Sequence, residues 1–158
     1  MSRPDNHGAQ RVGRISDLSP VERLAVQYLR EWNSTPADQS RLTACLSTGL
    51  GQTRGRNTLD VLNDLMEIGA HYGRRPLMRH GRSCDCLGAD EAVFACLVES
   101  AASAEYEDAT MLAALIVRPD MARNFVGLAA EFGMALSALL RTQIPTPNIA
   151  QMQPAVVH

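Results

Sequence analysis

The sequence predicts an all-α fold, a single-domain bundle of about six helices. Three observations carry this reading. Six segments repeat apolar residues at helical spacing, no segment alternates apolar and polar residues between turn signals, and short links join the segments. A chain of 158 residues sits within the size of one domain and is long enough to bury a core. Residues 1–17 read as a flexible N-terminal arm, 18–141 as the helical domain, and 142–158, with three prolines and no period, as a flexible C-terminal tail.

The elements follow in order. Ser19-Pro20 supplies an N-cap and a first-turn proline, and Val21, Leu24, Ala25, Tyr28, Leu29 and Trp32 give residues 20–33 one apolar face. A second helix starts near Thr35-Pro36, carries Leu42, Cys45 and Leu46, and stops at Gly49 and Gly51. "GQTRGR" reads as a loop, after which Asn57 or Thr58 caps a third helix that ends at Tyr72, before Gly73 and Pro76. The stretch 73–89 shows no period. A fourth helix opens at Ala89 or Asp90 and runs to about Ser103. A fifth, from about Glu105 to Val117, has its first turn loaded with acids that suit the helix dipole. The sixth starts at Pro119 and shows the clearest pattern: Met121, Phe125, Leu128, Phe132, Leu136 and Leu139. Its small residues Ala122, Ala129, Gly133 and Ser137 permit close approach, expected against the alanine-rich fifth helix.

Composition excludes some functions. A net charge of −2 gives no general drive toward nucleic acid or an anionic membrane. All 15 basic residues are arginine, which rules out Schiff-base chemistry on lysine and reads as the imprint of a GC-rich bacterial genome. The first twenty residues contain no apolar signal core, and the longest apolar run, Met111 to Val117, is far short of the roughly 20 residues a membrane span needs. The expected location is the cytoplasm, where cysteines serve as thiols, metal ligands or redox groups. No phosphate-binding loop ending in lysine, no G-x-S-x-G and no HExxH occurs, so an enzyme is not the expectation.

The chemistry concentrates in "HGRSCDCLGADEAVFAC", residues 80–96, which holds three of the four cysteines and a histidine. The stretch 73–89 has few apolar anchors, while fixing each backbone residue costs roughly 1–2 kcal/mol. A metal cross-link would order it. His80, Cys84 and Cys86 form H-x3-C-x-C, a donor set suited to zinc, with Cys96 as fourth ligand and His71, Asp85 or Asp90 as alternatives. Arg79, Arg82 and the following helix start favour thiolate there. Cys84 and Cys86 can instead act as a redox pair, since the i, i+2 spacing permits a disulfide with some strain. Inert thiols are the third alternative, and Cys96 and Cys45 each also read as small buried hydrophobes.

Arg74, Arg75, Arg79 and Arg82 place four positive charges in nine residues. They could grip an acidic or phosphate-bearing partner, making the chain a regulatory adaptor with incidental cysteines. Without interleaved aromatics, nucleic acid is not the expected partner; another protein is, and a homo-oligomer is compatible. Alternatively, the acidic stripe Asp60, Asp64, Glu67 and His71, or Asp90-Glu91, neutralises these arginines internally.

Overall fold

The computed structural model describes residues 7–143. It is an all-α bundle: α1 (Pro20–Glu31), α2 (Pro36–Leu50), α3 (Gln52–Tyr72), α4 (Ala89–Ala102), α5 (Tyr106–Ile116) and α6 (Ala122–Gln143). One two-stranded antiparallel sheet joins them, formed by β1 (Arg11–Arg14) and β2 (Cys86–Gly88).

Local chemistry sets the helix starts. The Ser19 hydroxyl accepts from Glu22 N–H at 3.2 Å, while the Glu22 carboxylate accepts from Ser19 N–H at 3.1 Å. This reciprocal pair satisfies two otherwise orphaned donors, and Pro20 occupies the first turn, where its missing N–H is harmless. Thr35 caps α2 through one half of that arrangement, its hydroxyl accepting from Asp38 N–H at 3.0 Å.

The loop expected at "GQTRGR" is absent. α2 ends on Gly51, whose φ of +86° suits glycine, and α3 begins at the next residue. Gly55 lies inside α3, where a Cβ would come within 2.8 Å of the Leu46 carbonyl. The second glycine of the motif therefore permits helix contact and does not mark a turn.

α4 lies at the centre of the core. Phe94, Leu97 and Val98 pack against Phe125, Phe132 and Leu136 of α6, with Leu24, Tyr28 and Leu29 of α1 and Leu62 and Leu65 of α3 around them. The Phe94 and Phe132 ring centroids lie 6.4 Å apart, in the range of favourable aromatic pairs. The small face of α6 meets α4 at Gly133, where a Cβ would lie 2.7 Å from both the Val98 carbonyl and Ala102 Cβ. That corrects the assignment of this position to α5. The stretch Pro119–Gln143 is long and apolar enough to span a membrane by composition, with a window of mean hydropathy 1.3, and half of that window is buried in the bundle.

The reading of residues 1–17 as a flexible arm needs correction over its described part, 7–17. β1 pairs Arg11 with Gly88, Gly13 with Leu87 and Arg14 with Cys86, with an irregularity between Arg11 and Gly13. Ile15 N–H donates to the Asp85 carbonyl at 2.9 Å, and Ala89 N–H to the Gln10 carbonyl at 2.9 Å. Ile15, Leu18 and Ala92 then pack on a small second core of Val26, Leu87 and Ala95. A four-residue strand contributes no period of its own, so only its partner reveals it. Residues 1–6 and 144–158, which carry most of the expected tail, lie outside the described residues.

Candidate functional site

The segment between α3 and α4 is pinned at its start. Gly73 forms an antiparallel bridge to Val117, with Arg74 N–H donating to the Ile116 carbonyl and Arg118 N–H to the Tyr72 carbonyl, both at 3.0 Å. It ends in β2. Between these anchors a buried ion pair holds the chain. Arg30 of α1 and Glu91 of α4 meet at 2.6 and 2.9 Å, with side chains 3% and 0% exposed. Arg30 also donates to the Cys84 and Cys86 carbonyls, each at 2.7 Å. Glu91 in turn accepts from Gly88 N–H at 3.0 Å and His80 N–H at 3.2 Å.

Two buried charges thus spend their hydrogen-bonding capacity on the backbone around the cysteines, the condition under which a buried pair is tolerated. Burial alone would raise the Glu91 carboxyl. The Arg30 hydrogen bonds, the Gly88 N–H, the Arg30 charge and the His80 N–H outweigh it and hold the group below its ordinary value. Arg30 does not stand out in the sequence, and Glu91 reads there only as a counter-charge for the loop arginines, whereas its hydrogen-bonded partner is Arg30. A charged residue at the end of an amphipathic helix reads as solvated, and their hydrogen bonds join positions 61 residues apart.

The structure brings His80, Cys84 and Cys86 together, their ligand atoms all within 4.8 Å of one another, a group able to hold a metal ion. It also joins Cys84 and Cys86 as a disulfide with Cα atoms 5.3 Å apart, in the ordinary range. His80 sits where its two ring nitrogens have separate tasks. Nε2 lies 2.9 Å from the Ala9 carbonyl, which only accepts, so Nε2 carries the proton. In the neutral ring, Nδ1 then presents its lone pair to Cys86 Sγ at 3.6 Å. A metal-ligating histidine commonly has this arrangement, with its other N–H fixed by a backbone carbonyl. The close fit depends on Gly88, where a Cβ would come within 2.8 Å of the imidazole.

The disulfide is half-buried and borders two open clefts. One, of about 550 Å³, is lined by Arg11, Arg14, Ser16 and Asp85 beside the two cysteines. The other, of about 400 Å³, includes Arg23, Gln27, Arg82 and Ser83. Arg11 and Arg14 put positive charge on the wall of the first cleft. They belong to the segment expected to be a loose arm.

The other candidate ligands lie elsewhere. Cys96 is outside the His80 group and on an exposed face of α4, because the buried face takes Phe94, Ala95, Leu97 and Val98. That corrects both the ligand and the buried-hydrophobe readings of Cys96. Partial burial raises its thiol pKa, helped by Glu22, Glu99 and Asp108 against a hydrogen bond from Ser100, which disfavours the reactive thiolate. Cys45 is half-buried on α2. His71 is exposed on α3, its Nδ1 at 2.9 Å from the Glu67 carbonyl, and Asp60, Asp64 and Glu67 beside it are exposed too. Asp85 is exposed, and Asp90 is occupied by Arg75.

Each arginine of the cluster has an internal partner. Arg75 makes a two-pronged pair with Asp90 at 2.6 and 2.8 Å, and Asp90 also accepts from Met78 N–H at 2.7 Å. Arg82 reaches Glu31 at 3.3 Å and Asp38 at 3.1 Å. Arg79 donates to the Leu29 and Trp32 carbonyls, both at 2.6 Å, and Arg74 to the Ala114 carbonyl at 2.5 Å. The neutralising carboxylates come from α1, α2 and α4, and none from the acidic stripe of α3. Glu31 Oε1 is buried without a hydrogen bond although two arginines stand within ion-pair distance. Burial raises its pKa, with Asp38 adding to the rise and Gln27 and Arg82 opposing it.

No family model, curated protein or solved structure matches this chain.

Proposed function

We propose that this is a regulatory, non-enzymatic protein of the cytoplasm whose 80–86 loop switches between a disulfide and a zinc-binding dithiol. The observation that carries the reading is the position of His80 Nδ1, lone pair facing Cys86 Sγ, beside a cysteine pair close enough to bond. A disulfide has no thiolate to offer a metal, so the two states exclude each other. In the reduced state His80, Cys84 and Cys86 are three soft donors of the kind zinc takes, which leaves a fourth tetrahedral position for water or a partner's group. In the oxidising direction, one thiolate attacks an oxygen of hydrogen peroxide and forms a sulfenic acid as the O–O bond breaks and hydroxide leaves. The second thiolate then attacks that sulfur, the S–S bond closes as the S–O bond breaks, and hydroxide leaves again; the two hydroxides take up the two thiol protons as water. Two thiols lose two electrons and two protons, and one peroxide is reduced.

Zinc and free thiols are to be counted on the full chain, reduced and after mild peroxide. The reading expects about one zinc per chain when reduced, none when oxidised, and only Cys45 and Cys96 still titrating as thiols after oxidation. His80→Ala should weaken zinc while the disulfide still closes. Reduced protein that takes up no zinc sinks the metal half. Peroxide that leaves Cys84 and Cys86 as thiols sinks the switch.

A further inference from the structure

Beside the 73–79 segment a cavity of about 540 Å³ opens into the bundle. Its floor is core: Leu65, Phe94 and Phe125 are each at most 1% exposed, and Ile116 closes one side. Native interiors hold few voids larger than a water molecule, whereas ligand sites commonly have this volume, an apolar lining and a few placed polar groups. Here the charged groups lining it are all of one sign. Arg74, Arg75 and Arg79 line the cavity, and no acidic residue does.

The three arginines differ in what already satisfies them. Arg75 is neutralised by Asp90. Arg74 and Arg79 hydrogen-bond only to backbone carbonyls, and no carboxylate stands within ion-pair distance of either among the described residues, although the Glu91 charge acts on Arg79 from farther off. Those carbonyls belong to the C-terminal ends of α5 and α1, whose partial negative charge holds a cation without cancelling it. Arg79 uses Nη1 for both of its carbonyls, so Nε and Nη2 make no hydrogen bond among the described residues. Its guanidinium carbon stands 5.8 Å from the centroid of the Trp32 ring, another wall of the cavity. A planar cation with free donors in a half-buried apolar setting recognises an anion, and a carboxylate fits its fork.

We propose that this cavity binds a small amphipathic carboxylate, an apolar chain or ring on the Leu65–Phe94–Phe125 floor with its carboxylate on Arg79 and Arg74. The site is separate from the cysteine loop, and it stands or falls without it.

Gly69 of α3 provides a test that leaves the fold intact. It lines the cavity, and a Cβ there would meet no atom within 4 Å. Leucine at this position grows into empty space, and leucine suits a helix better than glycine. The probe is decanoate below its micelle concentration, titrated calorimetrically into the full chain, with decanol and acetate as comparators. Saturable binding of one decanoate per chain is expected, with decanol at least about tenfold weaker, since a charge-assisted hydrogen bond contributes about that much, and acetate at least about tenfold weaker because it buries no apolar chain. Arg74→Gln and Arg79→Gln should each weaken decanoate by about tenfold, and Gly69→Leu should abolish binding while raising or keeping the thermal midpoint. Absence of saturable decanoate binding to the wild-type chain overturns the proposal, and so does unchanged affinity in Gly69→Leu. Decanol binding as tightly as decanoate removes the role of the arginines. Should Arg79→Gln unfold, Arg74→Gln and Gly69→Leu still decide.

Discussion

Between α4 and α6 the chain packs Phe94, Leu97, Val98, Phe132 and Leu136 with almost no exposed surface. Between residues 73 and 88 it buries Leu87 and little else that is apolar, and it is held by Arg30, Glu91, Asp90 and carbonyl acceptors. Apolar contacts are non-directional, and many of them share the load in the helical core. The loop depends on a few directional bonds whose loss leaves buried charges without partners, so single substitutions reach it at different strengths and with different signatures.

The largest effect should come from splitting the ion pair. Arg30→Met strands the Glu91 carboxylate, and the expected cost is about 3–5 kcal/mol, read from urea unfolding. Because Arg30 also holds the Cys84 and Cys86 carbonyls, proteolysis between 79 and 86 should accelerate beyond what the global loss explains. Equal acceleration across the chain would mean that the loop is not an independently held unit.

In the core, Leu136→Ala should cost about 2–5 kcal/mol through lost burial and the cavity left behind. Here the contrast is the outcome to watch: under native conditions the rate at which a reductant opens Cys84–Cys86 should stay at the wild-type value. A faster reduction would show that the two regions share one support.

Gly88→Ala acts on the site through a single methyl. Its φ of −79° accepts alanine, so the effect comes from the collision with His80. Overpacking of this kind costs about 1–3 kcal/mol. If the reduced loop takes up zinc as proposed, its affinity should fall by about 10–100-fold, the usual loss when a ligand's support is disturbed. Retained affinity would mean His80 ligates from another position or not at all.

A pH series gives a smaller effect of known sign. Glu91 is depressed in the folded chain, so its stabilisation is complete above the ordinary carboxylate value of 4.5 and is lost as pH falls through the lower folded value. Glu31 is raised, so it opposes folding above its raised folded value, and that penalty is relieved as pH falls toward 4.5. In Glu31→Gln, stability should therefore fall relative to the wild type as pH drops from neutral toward 4.5, and the acid loss below 4.5 should remain. A wild type and variant that run parallel above 4.5 would remove Glu31 from the account. Smallest of all, Glu67→Gln on the exposed stripe of α3 should change stability by less than about 0.5 kcal/mol.

Much of this fold was written locally. Ser19-Pro20 and Thr35-Pro36 start their helices wherever the chain folds, because caps satisfy donors within three residues. The spacing of Phe125, Phe132, Leu136 and Leu139 gives α6 its buried face by the helical period alone. The meeting of His80, Cys84 and Cys86 was legible because seven residues of chain keep their side chains within reach whatever the rest does. Other features rest on pairings that no local rule encodes. "RVGR" becomes a strand only because β2 offers it hydrogen bonds, and Gly55 is a contact because Leu46 lies against it. Arg30 is buried because Glu91, 61 positions away, balances it, and Ala9 sets the proton of an imidazole 71 positions away. In the sequence by itself, period and short spacing were enough for the existence of six helices, the caps at Ser19 and Thr35 and the soft-ligand cluster. They were not enough for the start of α3, where the expected cap at Asn57 or Thr58 lies inside the helix. Tertiary structure decided which charges are neutralised, which nitrogen of His80 faces sulfur and where the cavity opens, because electrostatics and packing act through space between residues far apart in the chain.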